Sequence, residues 1–212
     1  MSHTPRRALI VIDVQNEYFT GNLQIEYPPS SQSLANIVRI MDAATAANVP
    51  VIVIQQHSPA DAPAFADGSD GWRVHDAVDQ RHRDAFFQKP LPSAFSDTGL
   101  GDWLAEHAID TLTVIGYMTH NCNDTTIKHA FDRGLQVEFV HDASGSVSYA
   151  NRAGYASAEE IHRVFSVVEQ SRFAAVMSTS EWLHVLASGE VPVRENILDS
   201  YRAAKLRRSA AA

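Results

Sequence analysis

The strongest constraint on the fold is an alternation of short apolar runs with longer segments of helical periodicity. The helical segments, residues 33–47 and 158–171 among them, carry apolar side chains every three or four positions. The apolar runs are rich in valine and isoleucine and cover residues 8–14, 51–54, 111–115, 137–140 and 173–177. Such runs are typical of strands buried on both faces of a sheet. The alternation therefore predicts an α/β fold with a parallel sheet between two layers of helices.

Composition limits the kind of protein. With 212 residues, 45% hydrophobic and 20% charged, the chain is predicted to form a single domain over residues 1–190. Residues 191–212 form a C-terminal tail with roughly helical spacing of its apolar side chains. The net charge of −8 argues against nucleic acid as a partner. We also expect no signal peptide and no membrane association, because no apolar run is long enough.

The chain contains one cysteine, Cys122. A single cysteine excludes an internal disulfide, and its use suits a reducing, cytoplasmic location. The residue follows a predicted strand that ends at Gly116. Thr119 is predicted to be the N-cap of the helix that comes next, with Cys122 in its first turn. That position predicts a lowered thiol pKa. The alternative is that Cys122 is a small buried hydrophobic residue.

Two further polar residues follow predicted strands. Asp13 interrupts the first apolar run, and Lys89 follows the aromatic pair of a short strand near residues 86–87. The carboxyl ends of parallel strands meet at one edge of the sheet, so Asp13, Lys89 and Cys122 are expected to lie close together. A carboxylate, an ammonium and a thiol are the groups that nucleophilic catalysis uses. Each also has a structural interpretation, as a buried ion pair for Asp13 and a solvated loop residue for Lys89.

Three segments together resemble the isochorismatase-like cysteine hydrolases, a superfamily that includes nicotinamidases, N-carbamoylsarcosine amidohydrolase and isochorismatases. The segments are ALIVIDVQNEYF, FFQKPLPSAFSDTGL and VIGYMTHNCNDTTIKHAFDRG, in that order along the chain.

The resemblance implies a three-layer fold around a six-stranded, mostly parallel sheet in the order 3-2-1-4-5-6. It also implies that Asp13, Lys89 and Cys122 form a catalytic triad. The Tyr117–Met118 peptide would be cis, and the backbone N–H groups of Met118 and Cys122 would form an oxyanion hole. A homodimer or homotetramer is expected. For the C-terminal tail the sequence leaves two alternatives open, a helix that packs at a subunit contact and a frayed end.

One segment departs from the metal-binding members of the superfamily. Nicotinamidases hold a metal with an aspartate and two histidines after the second strand, where this chain has Gln55, Gln56 and His57. One histidine without a carboxylate is a poor metal site. We therefore predict a metal-independent enzyme without a cofactor.

The predicted reaction is hydrolysis of a small amide or carbamoyl C–N bond. Cys122 would form a thioester, Asp13 would act as general acid and base, and Lys89 would stabilise charge. The alternatives are a vinyl-ether hydrolase that uses Asp13 alone, a non-catalytic binding protein on the same fold, and a redox-sensing thiol. The candidate substrate contacts are mostly aromatic or imidazole side chains, namely Phe19, His57, Trp72, Phe95, Tyr117 and His120.

Overall fold

The computed structural model describes residues 4–210, and its centre is a six-stranded parallel sheet. In chain order the strands are β1 (Arg7–Ile12), β2 (Val51–Gln56), β3 (Ala85–Lys89), β4 (Thr111–Tyr117), β5 (Gln136–Gly145), β6 (Tyr149–Asn151), β7 (Gly154–Ala156) and β8 (Ala175–Met177). The sheet order is β3-β2-β1-β4-β5-β8, and the five strand pairings are parallel. The predicted topology is confirmed, and β8 is its sixth strand.

Strands β6 and β7 form a separate antiparallel hairpin that the sequence did not indicate. Each has three residues, and most of their side chains are exposed. The pattern of buried apolar residues that reveals the sheet strands is therefore missing from the hairpin.

Helices cover both faces of the sheet. They are α1 (Ser30–Ala46), α2 (Asp76–Asp79), α3 (Leu100–Glu106), α4 (Asp124–Asp132), α5 (Ala158–Gln170), α6 (Thr179–Ser188) and α7 (Ile197–Ala210). One hydrophobic cluster joins one face of the sheet to α1 and α6, through Ile40 and Trp182 among others. A second cluster joins the opposite face to α3 and α4, through Leu104 and Ile127. The three-layer architecture is thus confirmed.

Gly116 allows the two central strands to approach closely. It lies opposite Ile12 in the β1–β4 register and has φ +102°, a conformation that favours glycine. A Cβ at this position would lie 2.7 Å from the nitrogen of Ile12 and still closer to its carbonyl oxygen. The close approach brings the end of β1, with Asp13 after it, beside the end of β4.

A buried polar network crosses the other end of the sheet. Arg7 Nε lies 2.9 Å from Glu138 Oε1, and both side chains are almost fully buried. Thr113 and the indole N–H of Trp182 also donate to Glu138 Oε2, at 2.7 and 3.2 Å. The charge of Glu138 is therefore paired and hydrogen-bonded, as a buried carboxylate requires.

The C-terminal tail contains the helix α7. Its described side chains are exposed except for the half-buried Ser200, and Tyr201 and Leu206 are among the exposed apolar residues. Before the helix, Glu195 N–H donates to the carbonyl of Gln170 at the end of α5. The subunit contact expected for this tail remains a prediction. Within residues 4–210, no helix is both long and apolar enough to cross a membrane.

Candidate active site

The three residues predicted to form the site lie together at the carboxyl edge of the sheet. Asp13 follows β1, Lys89 is the last residue of β3, and Cys122 lies in a π-helical turn, Thr119–Asn123, between β4 and α4. The Lys89 ammonium is 2.8 Å from Asp13 Oδ2 and 3.3 Å from Cys122 Sγ. The side chains of Asp13 and Lys89 are fully buried, and Cys122 is 5% exposed.

The backbone at the end of β1 directs Asp13 into the site. Its φ is +52°, a left-handed conformation that aspartate tolerates better than most residues. Its N–H donates to the carbonyl of Ile54 on β2 at 3.0 Å. Burial raises the pKa of the Asp13 carboxyl, and the nearby Lys89 ammonium only partly offsets this effect.

The Lys89 ammonium is fully satisfied by hydrogen-bond acceptors. Besides Asp13 and Cys122, it donates to Gln56 Oε1 at 2.7 Å. Three acceptors match the three N–H donors of a lysine side chain. Burial by itself lowers the pKa of Lys89, but the negative charge of Asp13 and the nearby Cys122 outweigh burial, so the pKa is raised. Lys89 is therefore a fixed positive charge at neutral pH.

The prediction of a lowered thiol pKa is wrong for this conformation. Burial raises the pKa of the Cys122 thiol, and the Asp13 carboxylate raises it further, while Lys89 lowers it. The Lys89 ammonium, which is 2.8 Å from Asp13 Oδ2 and 3.3 Å from Cys122 Sγ, brings the thiol close to the carboxylate. The resting site consequently contains a neutral thiol beside a carboxylate that can accept its proton.

Thr119 is not a helix cap, contrary to prediction. The turn that holds Cys122 starts after Met118 and has no side-chain cap. The hydroxyl of Thr119 instead lies 2.7 Å from Ser144 Oγ and 2.8 Å from His162 Nδ1. These partners lie on β5 and α5, so the turn is tied to two other elements.

Asn123 holds the other end of the same turn. Its side-chain nitrogen donates to the carbonyl of Gly116 at 2.8 Å and to Ser144 Oγ at 2.9 Å. The peptide bond between Tyr117 and Met118 is cis, as predicted, and the Met118 carbonyl accepts from the N–H groups of Asn121 and Asn123. The backbone that carries the nucleophile candidate is thus fixed from both sides.

Three of the candidate substrate contacts follow β1 or β2. The ring of Phe19 packs 4.4 Å from that of His75. The N–H of His57 donates to the Lys89 carbonyl at 3.1 Å. The carbonyl of Trp72 accepts hydrogen bonds of 2.7 and 2.8 Å from the side chains of Gln15 and Gln55. Trp72 and His57 are therefore anchored through their backbones near the cluster of Asp13, Lys89 and Cys122, whereas Phe19 packs against the core.

The other three candidates surround Cys122 in different ways. Phe95 is nearly buried and belongs to the same hydrophobic cluster as Cys122. Tyr117 is fully buried, and its hydroxyl lies 2.7 Å from Ser33 Oγ, which places it in the core. His120 is half-buried and lies within hydrogen-bond distance of Tyr149 Oη at 3.0 Å. Of these three, His120 has the most solvent-accessible position next to the nucleophile candidate.

The residues at the carboxyl end of β2 do not fit a metal ion. The oxygen of Gln56 binds Lys89, and its nitrogen donates to the carbonyls of His57 and Pro90. Neither atom is available as a ligand. In the part of the chain that the structure describes, no three His, Cys, Asp or Glu side chains converge where they could hold a metal.

A parallel α/β sheet with a carboxylate, an ammonium and a thiol buried together at its carboxyl edge is the architecture of an enzyme rather than of a structural protein. The isochorismatase domain model matches residues 7–181, and the chain belongs to the isochorismatase family of hydrolases.

Relatives and solved structures agree with this assignment. The chain is 61% identical to an isochorismatase-type protein of Burkholderia xenovorans LB400 of known crystal structure. The match has a TM-score of 0.96 and covers 98% of this chain and 100% of the other. This chain is also 32% identical to the secreted isochorismatase effector Isc1 of Verticillium dahliae, over 67% of this chain and 74% of that protein. It is 30% identical to the nicotinamidase of Escherichia coli, over 68% and 85% of the two chains.

Proposed function

We propose that this protein is a metal-independent cysteine hydrolase that cleaves a small amide or carbamoyl C–N bond through a thioester on Cys122. One observation carries the proposal. The Lys89 ammonium lies within hydrogen-bond distance of both a buried carboxylate and the only thiol in the chain. A purely structural ion pair between Asp13 and Lys89 would not need a thiol as a further partner.

The charges of the cluster support proton transfer from Cys122 to Asp13. Before transfer, the positive charge of Lys89 is balanced by the Asp13 carboxylate. After transfer, it is balanced by the Cys122 thiolate, and the cluster is neutral in both states. Since burying an unpaired charge is costly, a transfer that leaves the net charge unchanged is far easier than loss of the thiol proton to solvent.

In the first half of the reaction, Cys122 Sγ attacks the carbonyl carbon of the substrate as its proton passes to Asp13. The backbone N–H groups of Met118 and Cys122 would stabilise the oxyanion. Asp13 then returns the proton to the departing nitrogen, the C–N bond breaks, and an amine or ammonia leaves. A thioester on Cys122 remains.

In the second half, Asp13 removes a proton from a water molecule that attacks the thioester carbonyl. The C–S bond breaks, the acid product leaves, and the proton on Asp13 returns to sulfur. Lys89 stays protonated throughout. The raised pKa of Asp13 suits this exchange, because a carboxyl group with a higher proton affinity is a better base.

The choice of an amide-like bond rests on the thiol and on the relatives. The nicotinamidase of Escherichia coli acts, by its name, on an amide. A vinyl-ether hydrolase that uses only Asp13 as an acid would have no use for Cys122. Retention of full activity without Cys122 would therefore favour that alternative.

The test is mass spectrometry of the intact protein and of its peptides after incubation with a panel of small amides, carbamates and amide-mimicking aldehydes at neutral pH. We expect an adduct on the peptide that contains Cys122, and turnover of at least one amide or carbamate class. Cys122→Ala should retain the native circular dichroism spectrum and lose both adduct and turnover. Turnover that persists in Cys122→Ala would refute the nucleophile assignment.

A further inference from the structure

Gln56 lies beside Lys89 at the carboxyl ends of two neighbouring strands. The two residues are partners in the β2–β3 register, and the amide oxygen of Gln56 accepts a 2.7 Å hydrogen bond from the Lys89 ammonium. The sequence marked this position only as one that lacks a metal-binding carboxylate. The structure gives it a contact with the reactive cluster.

The orientation of the Gln56 amide follows from its other partners. Its side-chain nitrogen donates to the carbonyls of His57 and Pro90, at 3.0 and 3.2 Å. With the amide rotated by 180°, its NH₂ group would face the ammonium and its oxygen would face two carbonyl oxygens. Both arrangements are repulsive, so the oxygen must point at Lys89.

Gln56 also fixes the backbone around Lys89. Pro90 follows Lys89 directly, so the hydrogen bond to its carbonyl holds the chain that leaves β3. The N–H of Gln56 donates to Gln15 Oε1 at 2.8 Å, and Gln15 lies two residues after Asp13. The side chain and the backbone N–H of Gln56 therefore connect the segment that carries the Asp13 carboxylate with the segment that carries the Lys89 ammonium.

The neutrality of Gln56 is as important as its geometry. The Gln56 amide accepts from the third N–H of Lys89 without adding charge. The ammonium therefore balances one negative charge at a time, first that of Asp13 and then that of the thiolate. A carboxylate at this position would add a second permanent negative charge next to the ammonium. The developing thiolate would then compete with two carboxylates for one positive charge.

We propose that Gln56 is a positioning residue that holds the Lys89 ammonium between Asp13 and Cys122. This inference rests on the proposed function, but it concerns the reactivity of the thiol rather than the identity of the substrate. It can therefore be tested without knowledge of the substrate.

The experiment measures the second-order rate of alkylation of Cys122 by iodoacetamide as a function of pH, with intact mass as the readout. Gln56→Met removes the acceptor at similar size, and we expect alkylation to slow about tenfold at neutral pH, the effect of losing a hydrogen bond to a charged group. Gln56→Glu keeps an acceptor but adds charge. It should shift the midpoint of the pH–rate curve upward by about one unit or more.

Gln88→Met is the matched control. Gln88 precedes Lys89 on the same strand and donates to Gln55 Oε1 at 2.9 Å, and its side chain is exposed. Its substitution should leave the rate and the pH midpoint unchanged. If Gln56→Met fails to fold, Gln56→Glu, which has the same size, still provides the test.

The outcomes separate the two proposals. If the alkylation profile depends on Gln56 but no amide is turned over, the positioning role stands and the proposed function fails. If both Gln56 variants show the wild-type alkylation profile, the positioning role is refuted, whatever the enzyme hydrolyses.

Discussion

The carboxyl group of Glu169 should make the stability of this protein fall as the pH rises. Glu169 is fully buried on α5, and it meets Asp124, the first residue of α4, as well as Lys128, whose Nζ is 3.8 Å from Glu169 Oε1. Burial and the neighbouring Asp124 raise the pKa of Glu169 to about 9, from an ordinary value of 4.5.

The sign of the effect follows from proton linkage. Between pH 4.5 and 9 the unfolded chain has lost the Glu169 proton and the folded chain retains it. The folded state binds more protons, so the free energy of unfolding decreases with rising pH over that interval and levels off above it. One pKa unit corresponds to about 1.4 kcal/mol, so the ceiling is about 6 kcal/mol. Relaxation and water penetration reduce such penalties, so we expect the free energy of unfolding to decrease by about 2 kcal/mol over this pH interval.

The substitution that tests this reasoning is Glu169→Gln, because glutamine keeps the size and a hydrogen-bond donor toward Asp124 but carries no charge at any pH. Urea unfolding followed by tryptophan fluorescence should show that the variant is more stable than wild type at pH 8 to 9, by about 2 kcal/mol. The difference should shrink as the pH approaches 5. Glu159→Gln, an exposed glutamate on the same helix, is the control. Parallel stability curves for wild type and Glu169→Gln would refute the argument.

Three further predictions concern the sheet and the tail. Gly116→Ala should cost about 3 kcal/mol or more, because its Cβ would overlap Ile12, and a wild-type urea midpoint would contradict this. Arg7→Met should lower the free energy of unfolding by about 3 to 5 kcal/mol, because it leaves the Glu138 charge buried and unpaired. A decrease of less than about 1 kcal/mol in urea unfolding would contradict this. Tyr201→Asp on the exposed α7 should shift the protein toward monomers in light scattering after size exclusion. The control Leu206→Asp lies on a different side of that helix; equal masses for all three proteins would exclude a subunit contact through Tyr201.

The sheet was predictable from the sequence because burial on both faces leaves continuous apolar runs. The runs at residues 8–14 and 51–54 mark β1 and β2, and polar residues at their ends mark the carboxyl edge. That Asp13, Lys89 and Cys122 meet therefore follows from strand order and the direction of the strands. Their roles in catalysis are proposals that rest on the geometry of the cluster.

The details that escaped prediction depend on contacts between distant segments. Thr119 has its partners 25 and 43 residues away, on β5 and α5, so its local resemblance to a helix cap was misleading. The thiol pKa of Cys122 is controlled mainly by burial, which a position in the first turn of a helix does not reveal. The contact between Gln56 and Lys89 became visible only in the structure, where the carbonyls of His57 and Pro90 orient the Gln56 amide.

The single cysteine has a practical consequence. Cys122 is the only thiol in the chain, and it is buried within the cluster. A reagent that modifies the folded protein can add at most one thiol-linked group per chain, so the bound label counts the sites that are competent to react. Under the proposed function, the bound label would therefore count the active sites, and turnover could be expressed per site rather than per milligram.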